Sequence, residues 1–288
     1  MKISAIDVGS NSVRLATFAD GKTLYKRLAT TRLGEGLAAT GKLTPAAIER
    51  SAQAVARFVE EAKAENSIHI YVFATAAVRS AKNKQNFLSR VKQLCGLDVD
   101  VVSGQEEARL GILGALKHAD GGIMDVGGAS TEVTVQRGGQ TLYSHSADIG
   151  TVRLHDLAGR DINKLTEVSL AKIVEYGKFD ASSFNMYSIG GTATTLASVK
   201  HGLKVYDPNI TDGTVLYADE IHEMAQYILS LSVEEVRKIS GMEPLRADVI
   251  GGGCILTYLV MKHFNINKIT VSESDNLEGY VMLKKETK

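Results

Sequence analysis

The chain has no excess charge of either sign: 33 basic and 33 acidic residues leave a formal net charge of zero. That excludes bulk attachment to nucleic acid or to an anionic membrane, and leaves room for a polyanion only where positive charge is local. Cysteine is scarce too, with Cys95 and Cys254 alone. Two thiols make no disulfide framework, and they point to a reduced, cytoplasmic setting. The longest apolar run, 249–261, holds three glycines and is too short to span a bilayer. Asp7 falls where a secretion signal needs apolar residues, so secretion is not expected. There is no Pro/Ser-rich linker and no low-complexity segment. Tryptophan is absent, which excludes nothing. What remains is 288 residues, 44% hydrophobic and 23% charged, with length for two domains and a real core.

Two stretches say nearly the same thing. Asp7-Val8-Gly9-Ser10-Asn11-Ser12 and Asp125-Val126-Gly127-Gly128-Ala129-Ser130 share the pattern Asp-Val-Gly-x-x-Ser. Each follows a short apolar run and leads into an alternating one, Val13, Leu15, Thr17 and then Val133, Val135. Each reaches a turn dipeptide at the same offset, Asp20-Gly21 and Gly138-Gly139, before another extended run. The pattern predicts a duplicated three-strand unit with a polar, glycine-bearing turn between its first two strands. Two such turns facing each other make a pincer of backbone N–H groups suited to phosphate.

The rest of the chain supplies helices and further strands. Thr44-Pro45 is an N-cap and first-turn pair, and Ile48, Ala52, Val55 and Val59 keep helical spacing to about Lys63. Residues 68–74 read as a buried strand, 86–94 as a helix and 99–102 as a strand. Ser103-x-x-Glu106 is a capping box that opens a helix to about Leu116. In the second half, helices are expected at 152–157, 166–176, from Gly190, at 218–231, 233–239 and 254–264, and from about Asn276. Strands are expected at 186–189, 247–250 and 268–271, with Gly251-Gly252-Gly253 as a tight loop that either binds an anion or lets the last helix pack closely. The repeat restarts near residue 120, which divides the chain into domains 1–119 and 120–288. The C-terminal helix, about 273–288, is expected to pack back onto the first domain.

Two βββαβα halves of this kind resemble the acetate kinase, sugar kinase, heat-shock and actin superfamily. Local strings narrow the resemblance to the exopolyphosphatase and guanosine pentaphosphate phosphohydrolase family. They are Ile6 to Leu15, Ala74-Thr75-Ala76-Ala77-Val78-Arg79, Ser103 to Arg109, Asp125 to Glu132, Ile149 to Leu154, Gly190-Gly191-Thr192 and Arg246-Ala247-Asp248-Val249-Ile250. They come in the family's order and cover nearly the whole chain. The match is to the short, two-domain form without an added C-terminal helical domain. Two positions depart from the pattern: Asp212-Gly213 stands for His-Gly, and Asn276-Leu277-Glu278-Gly279 for Leu-Arg-Glu-Gly.

The resemblance implies an α/β fold of two duplicated βββαβαβα, actin-like (ribonuclease H-like) domains with the substrate in the cleft between them. It implies release of terminal orthophosphate from inorganic polyphosphate, or the same chemistry on guanosine pentaphosphate, and pairing into a homodimer. Hydrolysing a phosphoanhydride needs charge neutralisation, in-line water and a group to orient or deprotonate that water. Gly9, Gly127 and Gly128 offer backbone N–H groups unobstructed by Cβ, and Ser10, Asn11, Ser12 and Ser130 add side-chain donors. Gly190-Gly191-Thr192, at a helix start, is suited to further phosphates. Asp7 and Asp125 end their strands and, with Glu132, suit Mg²⁺, with Mn²⁺ as substitute. Glu106 has the capping role, so Glu107 is the expected catalytic base, on a face opened by Gly111 and Gly114. Arg14 and Arg79 are the expected guanidinium clamps on the polyanion, ahead of Arg32 and Arg153, with Lys82 and Lys84 as outlying cations. The seven histidines show no ligand spacing, and His145 and His155 read as structural.

Other classes remain open on sequence alone. A kinase of the superfamily would need an acceptor-binding insertion that is not seen here. A sensor that binds without turnover, or an assembly module of the actin type, would tolerate loss of Glu107.

Overall fold

The computed structural model describes residues 1–286. The first half is a five-stranded sheet of β1 (Lys2–Val8), β2 (Ser12–Ala19), β3 (Lys22–Thr30), β4 (His69–Ala74) and β5 (Asp100–Val101), in the order β3-β2-β1-β4-β5. The first three strands are antiparallel, and β4 and β5 join in parallel. Asp20 (φ 50°) and Gly21 (φ 80°) make the turn from β2 to β3, both left-handed as a two-residue hairpin demands. The helices of this half are α1 (Leu37–Thr40), α2 (Pro45–Ala64), α3 (Ala76–Ser80), α4 (Lys84–Cys95) and α5 (Gly104–Ala115). Helix α2 begins as its sequence directs: the Thr44 side chain accepts from the Ala47 amide, and Pro45 needs no partner.

The second half repeats the plan with β6 (Gly121–Val126), β7 (Thr131–Arg137), β8 (Gln140–Ala147), α6 (Thr151–Ala158), α7 (Ile162–Ile173), β9 (Met186–Ile189) and α8 (Gly190–Lys200). It continues through α9 (Pro208–Thr211), β10 (Val215–Tyr217), α10 (Ala218–Ser230), α11 (Val233–Val236), α12 (Ile250–His263), β11 (Lys268–Val271) and α13 (Asn276–Glu286). Its six strands run β10-β11-β9-β6-β7-β8, with β10 an added antiparallel edge. The duplicated α/β plan is the actin-like one. Strands β1 and β6 sit mid-sheet and are buried along nearly their whole length, which is why both read as short apolar runs.

Two expectations change, and one strand is added. Residues 247–249 form no strand, and Gly251-Gly252-Gly253 is no loop: the glycines lie inside α12. A Cβ at Gly251 would meet Leu229 Cδ2 at 2.6 Å, and one at Gly253 would meet Thr151 Cγ2 at 2.9 Å. Close packing at these positions outweighs the poor helix propensity of glycine. Strand β10 carries only three residues, too few to show a period.

Helix α13 follows the second half in sequence but packs on α5 and β1. Leu277, Tyr280 and Val281 join Ile3, Phe73 and Leu110 in one buried cluster. Leu277 is thus a core residue where the family pattern has arginine. Of the expected C-terminal helix, residues 287–288 lie outside the described residues.

Candidate active site

The strand register sets out the centre of the cleft. Asp7 pairs with Arg14 across β1 and β2, and at the matching place in the repeat Asp125 pairs with Glu132 across β6 and β7. Residues opposite each other on antiparallel strands share a face. The first half therefore sets an acid beside a cation, and the second sets an acid beside an acid. Glu107, from the first turn of α5, is the fourth carboxylate. Asp7, Asp125, Glu132 and Glu107 are all buried.

Burial and mutual repulsion raise the pKa values of this group. Asp125 is pushed up to about 8, first by burial and then by the charge of Glu107. Glu132 is raised well above its ordinary range by burial, Glu107 and Asp125. Burial raises Glu107 and Asp7 as well, against the pull of Arg79 and Arg14 respectively.

The helix that carries Glu107 is capped as read: Ser103 Oγ accepts from the Glu106 amide at 3.2 Å, and Glu106 Oε2 accepts from the Ser103 amide at 2.7 Å. That leaves Glu107 for the cleft, where Arg79 Nη1 donates to its Oε2 at 2.7 Å and also to Val102 O at 3.1 Å.

The two glycine turns meet. A Cβ on Gly128 would stand 2.8 Å from Ser10 Cβ and 3.2 Å from the Asn11 amide. The amides of Gly9 and Gly127 close their own turns, each 3.0 Å from Ser12 O and Ser130 O. Those two N–H groups are therefore taken, and contacts to phosphate fall to the residues that follow. Ser10, Asn11, Ser12 and Ser130 are buried beside them. Gly190 (φ 81°) lies against Asp125, and the Thr192 hydroxyl donates to Val126 O at 2.7 Å, pinning the third loop to the second.

The arginines divide in an unforeseen way. Arg14 donates to both Asp7 and Asp275, so its charge is already matched by two carboxylates. Arg32 bonds Asp248 and Leu245 O across the halves, and Arg153 lies against Asp148 at the surface. The side chain of Lys82 packs beside Gly41. Arg246 was not singled out as a site residue by its sequence, yet it is buried and its nearest polar partner is Ser12 Oγ at 3.4 Å. No carboxylate is in ion-pair contact with it among the described residues. Burial, aided by the charge of Arg14, pulls it down to about 10. Gly191 is bare because the guanidinium lies on it: a Cβ there would meet Arg246 Nη2 at 2.1 Å. The string Arg246-Ala247-Asp248 was visible, but the burial of its first residue was not.

Among the described residues no three Asp, Glu, His or Cys side chains form a ready cage for a metal. The donor set nonetheless fits a hard cation. Asp7 Oδ1 and Glu132 Oε2 are buried without a partner, and Asp125 and Glu132 face each other uncompensated. Mg²⁺ is held in that manner, by one or two carboxylates together with water and substrate oxygens.

The cleft itself is narrow, with a volume of about 70 Å³. It adjoins a larger cavity of about 640 Å³, and Arg14, Gly190, Gly191 and Arg246 line both. Lys26, Arg27, Lys204 and Arg237 add positive charge to the larger one, and Glu243, Glu273 and Asp275 add negative charge.

Opposed glycine turns on duplicated sheets, with buried carboxylates between them, define an actin-like protein built to handle phosphoryl groups. A model of the Ppx/GppA phosphatase family matches residues 15–287, and the chain belongs to that family. It is a hydrolase. Exopolyphosphatase 2 of Mycobacterium tuberculosis is 28% identical over 312 aligned positions, covering 98% of both chains. The Aquifex aeolicus member of the family superposes with a TM-score of 0.79 at 28% identity, over 100% of this chain and 98% of that one. An exopolyphosphatase from Cytophaga hutchinsonii superposes with a TM-score of 0.85 at 25% identity, over 99% and 98%. No helix among the described residues is long and apolar enough to cross a membrane.

Proposed function

We propose that the chain is an exopolyphosphatase, releasing orthophosphate from the end of inorganic polyphosphate. The observation that carries this reading is the cavity next to the cleft, whose lining sets Arg14, Lys26, Arg27, Lys204, Arg237 and the buried Arg246 against the acids Glu243, Glu273 and Asp275, an excess of positive charge. A chain with negative charge on every unit needs such a path beyond the reacting phosphate. The terminal phosphate lies between the two glycine turns, with donors from Ser10, Asn11, Ser12, Gly128 and Ser130. Gly190, Gly191 and Arg246 hold the next phosphates. Glu107 takes a proton from water as the water oxygen attacks phosphorus, and the bond to the bridging oxygen breaks in line. Arg79 fixes the carboxylate for that transfer. Mg²⁺, held by Asp125 and Glu132 with Asp7 beside them, would neutralise charge on the transferring group.

Guanosine pentaphosphate is the second reading. Leu203, Ile239, Met242 and Tyr206 give the same cavity an apolar wall on which a base could lie. Phosphate release from long-chain polyphosphate and from guanosine pentaphosphate, measured side by side, separates the two. Polyphosphate turnover with a higher kcat/KM supports the first reading, and the reverse ratio replaces it with the second.

A further inference from the structure

We infer that Asn276 is a positioning residue for the divalent cation, acting through Asp125; the inference rests on the metal-assisted reaction proposed above. Asn276 opens α13, and its side chain leaves that helix's own packing partners to enter the cleft, where it lines the same small cavity as Glu107 and Asp125. It is buried, and its Nδ2 donates to Asp125 Oδ2 at 3.3 Å. Its Oδ1 is buried with no partner, a costly state for an amide oxygen unless a ligand or its water completes it.

The helix crossing is built to bring this one side chain in. A Cβ on Gly114 would lie 1.9 Å from Asp275 O, and one on Gly279 would lie 1.9 Å from Leu110 O. A Cβ on Gly111 would lie 3.2 Å from Asn276 Oδ1. Three missing side chains let α13 sink onto α5 until its first residue reaches a carboxylate of the other half. An N–H on Oδ2 fixes the plane of Asp125 and leaves its other oxygen to the cation. Outer partners of this kind commonly change metal affinity by about 10–100-fold when removed.

The test is Mn²⁺ binding to the purified chain without substrate, followed by electron paramagnetic resonance, for wild type, Asn276→Leu and Asn276→Ser. Leucine keeps the volume and removes both polar atoms; serine keeps a hydroxyl donor. The expected result is Mn²⁺ affinity weakened about tenfold or more in Asn276→Leu, with partial recovery in Asn276→Ser. The half-saturating cation concentration for phosphate release moves by the same factor, while kcat at saturating cation and the metal-free melting temperature stay near wild type. Wild-type affinity within about twofold in Asn276→Leu overturns the inference, as does absence of Mn²⁺ binding by the wild type. If the leucine variant does not fold, wild-type affinity in Asn276→Ala, which also removes both polar atoms, overturns it equally. Weakened binding in the variant, with no phosphate release by the wild type from either substrate, sinks the hydrolytic reading and leaves the role of Asn276 standing.

Discussion

Asp125 stands opposite Glu132 across β6 and β7, in the register place where the first half sets Asp7 against Arg14. The duplication kept the backbone and exchanged a cation for an acid, so the negative charge that forms there as pH rises meets no cation across the strands.

That charge makes stability without metal fall as pH rises. Asp125 is pushed up to about 8 by burial and by Glu107, above its unfolded value of about 3.9. The folded state holds its proton more tightly, so its contribution is full below the unfolded value and is lost as pH rises through the folded one. Asp125→Asn mimics the protonated form. In the presence of a chelator its melting temperature should exceed that of wild type by a few °C at about pH 8.5, with the gap closing towards about pH 4. A gap that does not change with pH contradicts this.

Arg79 holds Glu107 by a bond of 2.7 Å and opposes the burial that raises its pKa. Arg79→Ala should lower kcat by about 10²-fold, a typical cost for a displaced general base. Glu107 then titrates higher, so the acid limb of the kcat profile moves to higher pH. A profile that drops without moving would mean that Arg79 acts elsewhere.

Arg246 is a buried cation without a carboxylate partner, and such a charge costs stability in the absence of substrate. Arg246→Met should leave the melting temperature of the free protein equal or higher. The same change should raise KM for polyphosphate by about tenfold or more, since a charge-assisted bond contributes about 1.5–3 kcal/mol. Loss of stability together with an unchanged KM would make Arg246 a structural residue.

Gly114, like Gly279, allows the close crossing of α5 and α13. Gly114→Ala should destabilise the protein by about 1–3 kcal/mol through overpacking, and should weaken cation binding by displacing Asn276. Gly138→Ala, where a Cβ meets nothing but φ is 58°, should cost only about 1 kcal/mol and leave cation affinity alone. Chemical denaturation with a Mn²⁺ titration of each variant separates the two effects.

Much of this molecule was legible because its signals are local. The repeated Asp-Val-Gly turns, the Thr44-Pro45 start and the Ser103/Glu106 box each declare themselves within a few residues, and the box separates Glu106 from Glu107. What stayed hidden depends on contacts distant in sequence. Glycines 251–253 punctuate a sequence, yet they sit in a helix because Leu229 and Thr151 press on it. Gly111 and Gly114 opened a face as expected; the backbone of α13 fills it at Gly114, and the side chains of Ile123, Ile189 and Asn276 fill it at Gly111. Arg14 and Arg246 look alike as arginines, and Asp275, 261 residues away from Arg14, matches the charge of one and not the other. Asn276 stood out only as part of a departure from the family pattern, since its partner lies 151 residues away on the opposite half.

The central claim is that Glu107 activates the attacking water, and the direct measurement is single-turnover phosphate release from polyphosphate with Mg²⁺ by wild type and Glu107→Gln. The account predicts a rate loss of about 10²-fold or more with substrate affinity retained, because the amide keeps the shape and cannot accept the proton. A Glu107→Gln protein that cleaves within about threefold of wild type would contradict it.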